Sequence, residues 1–157
     1  MNAITVTTRS VEETQQLAAL LARAIPRPAL LALTGRLGAG KTHFIKGLGP
    51  PLGIDPTQIC SPTFVLITEH GPEDGPRLVH IDAYRLNSPD ELDAVGFTEL
   101  LDLPDAIIAV EWAEKIATIL PADRLDITID INDNHSRTFT LTPHGQKYQA
   151  ALQSLSL

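Results

Sequence analysis

The sequence predicts a three-layer α/β domain on a mainly parallel central sheet, with antiparallel strands added to it. Three observations carry that prediction. Segments of strand period alternate with segments of helical period along the whole chain. Two strand-length runs, residues 29–33 and 106–110, are apolar throughout, as strands covered on both faces must be. A glycine-rich turn joins the first of these runs directly to a helical segment.

The elements follow in order. Residues 3–8 read as a short strand, and Ser10-Val11-Glu12-Glu13 then forms a capping box, in which each side chain accepts the other residue's free backbone N–H. The helix it opens places Leu17, Leu20, Leu21 and Ala24 on one buried stripe and ends before Pro26 and Pro28. After the apolar strand and the glycine-rich turn, a second helix is expected over residues 41–48, ending at Gly49-Pro50-Pro51. Strands at 64–69 and 77–81 flank the polar, proline- and glycine-rich stretch 71–76, which reads as a hairpin connection. Ser88-Pro89-Asp90-Glu91 starts a short helix, with proline at the first helical position. The strand at 106–110, a helix beyond Trp112, strands at 125–131 and 138–141, and a last helix opening at Thr142-Pro143 complete the chain.

With 157 residues the chain has room for one domain, residues 1–157, and for a substantial core. Its 19 acidic against 12 basic residues leave a net charge of −7, which disfavours a protein that holds nucleic acid or an anionic membrane by itself. Any polyanion has to be reached through a partner. Cys60 is the single cysteine, so no internal disulfide forms; it is expected as a small buried hydrophobe in a reducing compartment. The first ten residues carry neither a basic nor an apolar targeting segment, and no run is long enough to span a bilayer. A cytoplasmic location without membrane contact is the expectation.

Chemistry concentrates in Gly35-Arg36-Leu37-Gly38-Ala39-Gly40-Lys41-Thr42, which fits the phosphate-loop pattern G-x-x-x-x-G-K-[ST] between a strand and a helix. Glycines let the loop curl so that successive N–H groups surround a phosphate, and the helix N-terminus adds its positive end. Lys41 is placed to reach the β and γ phosphates of a nucleotide, and the Thr42 hydroxyl to ligate Mg²⁺. The loop positions Gly35, Leu37, Gly38, Ala39 and Gly40 are expected around the nucleotide. His43 follows in the first helical turn, where it either meets nucleotide or stands exposed.

Metal and water need carboxylates beyond the carboxyl ends of the strands. Asp82 and Glu111 are each the first acidic residue off a buried strand. One of the two is expected to hold Mg²⁺, directly or through water, and the other to orient the attacking water. Trp112, the single tryptophan, is either a packing aromatic or a wall of the nucleotide or partner site.

Four motifs in this order and spacing go beyond a generic phosphate loop: the loop itself, Ser61-Pro62-Thr63-Phe64, His80-x-Asp82-x-Tyr84-Arg85-Leu86, and Glu111-Trp112. Over residues 10–125 the chain resembles the bacterial TsaE (YjeE) family, small P-loop ATPases required for threonylcarbamoyladenosine modification of tRNA. The resemblance implies a P-loop NTPase fold, ATP and Mg²⁺ as ligands, and formation of the threonylcarbamoyl group on adenosine 37 of tRNAs that read codons beginning with adenine. It implies a switch-like loop at 61–64 with the Thr63 hydroxyl near the γ-phosphate, roles for Asp82 and Glu111 in Mg²⁺ binding and hydrolysis with Glu111 nearer the metal, and a nucleotide contact from Arg137. It also implies work with the TsaB–TsaD pair, through which tRNA is held. Arg36, His43 and Ala113 stand where the family usually has Asp, Thr and Pro; none of these departures removes a phosphate or metal ligand.

Two other classes compete. A small-molecule P-loop kinase is the alternative, but such enzymes close an arginine-bearing lid over the phosphates, and the arginines here are scattered. A GTPase-type switch would need a guanine-reading Asn-Lys-x-Asp segment, and the chain has none.

Overall fold

The computed structural model describes residues 2–60 and 66–155. Along the chain run β1 (Ile4–Thr8), α1 (Val11–Ala24), β2 (Ala29–Thr34), α2 (Lys41–Leu48), β3 (Ile67–His70), β4 (Arg77–Asp82), α3 (Pro89–Ala94), α4 (Phe97–Leu100), β5 (Ala106–Glu111), β6 (Arg124–Ile131), β7 (Arg137–His144) and α5 (Gln146–Gln153). Short 3₁₀ segments occupy Pro50–Leu52, Pro56–Gln58 and Ala113–Ile119.

The strands form one sheet in the order β1-β7-β6-β2-β5-β4-β3. The centre is parallel: β2 pairs with both β5 and β6, and β5 with β4. The antiparallel additions lie at both edges, where β3 runs against β4 and β7 joins β1 to β6. Two separate cores explain the wholly apolar strands. Leu31 and Leu33 of β2 join Leu17 and Leu21 of α1 and Phe44, Ile45 and Leu48 of α2 on one face. Leu30 and Ala32, the alternate residues of the same strand, pack with Leu92, Phe97 and Ile116 on the other. The expected three layers and parallel sheet centre with antiparallel additions are therefore present. No helix among the described residues is long and apolar enough to cross a membrane.

Several local expectations are corrected. Leu20 is 39% exposed, because the buried stripe of α1 runs through Thr14, Leu17, Ala18, Leu21 and Ala22 and leaves Leu20 on its flank. At both expected capping boxes the glutamate reaches one residue further back: Glu13 accepts the N–H of Arg9 at 2.9 Å, and Glu91 that of Asn87 at 3.0 Å. Ser10 caps Glu13 N as expected, whereas Ser88 makes no side-chain cap. Cys60 is exposed, not buried; the extended backbone turns it away from its fully buried neighbour Ile59.

The segment past Trp112 is 3₁₀ rather than α-helical and breaks at Ile116 (φ −123°). The last helix begins at Gln146, not Thr142, because β7 keeps pairing with β6 as far as His144. Pro143 is tolerated there because β1 covers β7 only to Leu141, so one edge is open where the proline lacks its N–H. Strand β3 starts at Ile67; Phe64 and Val65, expected in it, lie outside the described residues.

Candidate nucleotide site

The parallel strands β2, β4 and β5 end side by side, and their ends carry the site. In register, Leu33 pairs with Glu111 and Asp82 pairs with Glu111, so the two carboxylates terminate adjacent strands and Glu111 abuts β2 directly before the phosphate loop. One cleft of about 400 Å³ is lined by Leu37, Gly38, Ala39, Gly40, Lys41, Thr42, His43, Asp82, Tyr84, Glu111 and Trp112. Nearly every residue singled out from the sequence is thereby brought together. Thr63 lies outside the described residues.

The loop is built as phosphate binding requires. Gly38 (φ 83°) and Gly40 (φ 107°) hold left-handed backbone that a side chain would strain, and Gly40 starts α2 without a side-chain cap. Inside the loop Ala39 N bonds Arg36 O at 3.0 Å, and helical bonding begins only with Phe44 N to Gly40 O at 2.9 Å. The N–H groups of Leu37, Gly38, Gly40, Lys41, Thr42 and His43 thus find no backbone acceptor among the described residues. Unsatisfied donors at a helix N-terminus are an anion site.

Lys41 is 5% exposed. Its Nζ donates to the carbonyl of Gly35 and, at 3.3 Å, to that of Arg36. Burial pushes its ammonium below the ordinary lysine range, opposed by the nearby negative charges of Glu111, Glu114 and Asp82. Trp112 covers it, with Nζ 3.8 Å from the indole centroid. Trp112 achieves this in left-handed backbone (φ 58°, ψ 42°), a conformation that costs a bulky residue on the order of 1 kcal/mol or more. The Tyr84 ring packs against Trp112 in a tilted arrangement, 4.9 Å between centroids and 47° between planes, and Lys115 donates to the Tyr84 carbonyl at 2.5 Å.

Thr42 Oγ1 lies 3.3 Å from each oxygen of Glu111. Glu111 is 4% exposed, and its Oε2 lies 2.5 Å from Nε2 of the fully buried His80. Asp82 is half-buried and accepts the N–H of Tyr84 at 3.0 Å. Hydroxyl and carboxylate oxygens converging beside a phosphate loop are the donor set that hard divalent cations take, so these residues fit Mg²⁺.

A second cavity, of about 290 Å³, opens behind the loop between Thr8, Arg9, Ser10, Val11 and Thr14 on one side and Gly38–Gly40, His43, His135 and Arg137 on the other. Arg137 closes it by donating to the carbonyls of Ala39 (3.1 Å) and Gly38 (3.4 Å). His43 is exposed and lines both cavities. Sequence reasoning missed the β1–α1 corner, the tilted contact of Tyr84 with Trp112 and the contact of His80 with Glu111. His80 left a trace of its own: a polar residue within the apolar run Leu78-Val79-His80-Ile81, two positions before Asp82 and so on the same face.

The chain is similar to known proteins over most of its length. The family model described as "Threonylcarbamoyl adenosine biosynthesis protein TsaE" matches residues 8–139. A tRNA threonylcarbamoyladenosine biosynthesis protein TsaE of Bacillus subtilis is 39% identical over 146 residues, covering 92% of this chain and 89% of its own. The Streptomyces coelicolor protein of the same name is 38% identical over 143 residues, covering 87% and 95%. The crystal structure of Bacillus subtilis YdiB superposes with a TM-score of 0.78 at 34% identity, over 97% of this chain and 93% of that one. A phosphate loop facing paired strand-end carboxylates, in a chain matched over most of its length by these relatives, belongs to the TsaE family of threonylcarbamoyladenosine biosynthesis proteins.

Proposed function

We propose that this chain is a single-domain, Mg²⁺-dependent ATPase acting in the cytoplasm in tRNA threonylcarbamoyladenosine formation, with the TsaB–TsaD pair as its partners and tRNA held through them. The observation that carries the reading is the convergence of free loop N–H groups, Lys41, and the Thr42–Glu111 pair on one cleft. The relatives' names supply the pathway. A net charge of −7 suits a protein that leaves tRNA to others.

In this reading Gly35, Leu37, Gly38, Ala39 and Gly40 curl around the phosphates, whose charge draws Lys41 off its own loop carbonyls. Thr42 and Glu111 hold the cation, which when bound neutralises phosphate charge. Asp82, one strand over, orients the attacking water or completes the cation's shell through a water molecule. The water oxygen bonds to the γ-phosphorus as the bond to the β,γ-bridging oxygen breaks, giving ADP and inorganic phosphate. Trp112 walls the cleft, the Thr63 hydroxyl contacts the γ-phosphate, and the cavity between Ser10, His43 and Arg137 takes the base and sugar.

Hydrolysis of Mg·ATP by the purified protein, alone and with TsaB and TsaD from the same source, tests this. Stimulation by the pair that disappears in Lys41→Ala is expected. Turnover that ignores the pair but rises with a small metabolite would replace it by the kinase reading.

A further inference from the structure

His80 is 0% exposed in the middle of β4, flanked by register partners Thr68 on β3 and Ala109 on β5. Its neighbours Val79 and Ile81 belong to the core on the opposite face, so His80 and Asp82 share the α2 side of the sheet. Ala109, the small residue beside it, leaves the imidazole room to reach diagonally to the end of β5. There Nε2 meets Glu111 Oε2 at 2.5 Å. The carboxylate offers only lone pairs, so Nε2 carries the hydrogen and donates. The other ring nitrogen, Nδ1, is buried and has no hydrogen-bond partner among the described residues.

These facts do not describe a core-filling residue. A buried imidazole loses hydration at both nitrogens, and an apolar ring of the same shape would fill the space without that cost. Among the described residues, the one bond its side chain makes goes to the carboxylate that also faces Thr42. We infer that His80 is a positioning residue: it engages Oε2 of Glu111, fixes the rotamer of that carboxylate beside Thr42, and leaves Oε1, the oxygen it does not bind, for the cation. This rests on the Mg²⁺-nucleotide reading above. Outer residues that orient a metal ligand in this way typically contribute about 10- to 100-fold to metal affinity.

The test uses the intact protein with His80→Phe, which keeps the ring without a donor, and His80→Gln, which returns an N–H at similar reach. Mg²⁺ is titrated into protein saturated with ADP, and ADP affinity is measured separately in EDTA. His80→Phe is expected to raise the Mg²⁺ concentration at half-saturation about 10- to 100-fold, leave the EDTA affinity unchanged, and be partly rescued in His80→Gln. In nucleotide-free protein, proton NMR should show a downfield, slowly exchanging imidazole N–H resonance that shifts in Glu111→Gln. Wild-type Mg²⁺ response in His80→Phe, or equal losses in both variants, would overturn the inference. If His80→Phe fails to fold, an imidazole resonance indifferent to Glu111→Gln, or the absence of one, overturns it as well. A wild-type protein whose ADP affinity ignores Mg²⁺ would sink the cation reading itself and this inference with it.

Discussion

The ammonium of Lys41 lies 3.8 Å from the centroid of the Trp112 ring while bonding back to the carbonyls of Gly35 and Arg36. The phosphate-loop lysine is therefore held by its own loop and packed against an aromatic ring that lines the same cleft. Leaving that position forfeits two carbonyl contacts and a cation–π contact of about 0.5–2 kcal/mol. Phosphate oxygens, which form charge-assisted bonds to lysine, offset the loss.

Because Trp112 is the single tryptophan, its emission reports that exchange. Addition of ATP should change the fluorescence of the wild-type protein. In Lys41→Ala the free protein should already emit differently, and triphosphate affinity should fall roughly 10- to 100-fold, the worth of one hydrogen bond between charged groups. An identical ATP response in the two proteins would show that Lys41 does not leave Trp112 on binding.

Arg137 ties β7 to the phosphate loop across 98 positions of sequence, through its bond to Ala39 O at 3.1 Å. Beside its bonds to the Ala39 and Gly38 carbonyls, a third, to His135 O at 2.6 Å, anchors the guanidinium in its own turn. Arg137→Ala should weaken ADP and ATP alike by about tenfold, since the loop loses a clamp rather than a γ-phosphate contact. Arg137→Lys should recover little, because one ammonium cannot span both carbonyls. Isothermal titration with each nucleotide separates this from a loss confined to ATP.

Gly47 sets how closely α1 and α2 pack. A Cβ there would stand 2.5 Å from Gln15 O and 2.8 Å from Ala18 Cβ. Alanine gains up to about 1 kcal/mol of helix propensity, but overpacking against backbone costs about 1–3 kcal/mol, so the clash should win. Gly47→Ala is expected to lower the denaturation midpoint. A midpoint at or above wild type would mean that the two helices separate freely.

Much of this was legible because it is local. The period of residues 29–33 and 106–110 announced doubly covered strands, and the phosphate-loop pattern announced its own backbone, since only glycine adopts the positive φ of Gly38 and Gly40 without strain. Asp82 and Glu111 could be read as strand-end carboxylates from their place after apolar runs. What failed was also local in appearance but decided by neighbours. Thr142-Pro143 looks like a helix start, yet β6 supplies it with strand partners. Trp112 left two readings open, and its left-handed backbone together with the ring of Tyr84 placed it over Lys41.

Chain order and residue type by themselves determined the α/β layering, the phosphate loop and the identity of the two acidic candidates, because each follows from backbone period or from the φ a residue tolerates. Only the tertiary structure decided that Asp82 and Glu111 stand in register, that Arg137 reaches the loop from a distant strand, and that a buried histidine, His80, engages one of the two carboxylates. Those pairings depend on which strands lie side by side and how far their side chains reach. Burial and close packing select that arrangement over the whole fold, and no short window of sequence contains it.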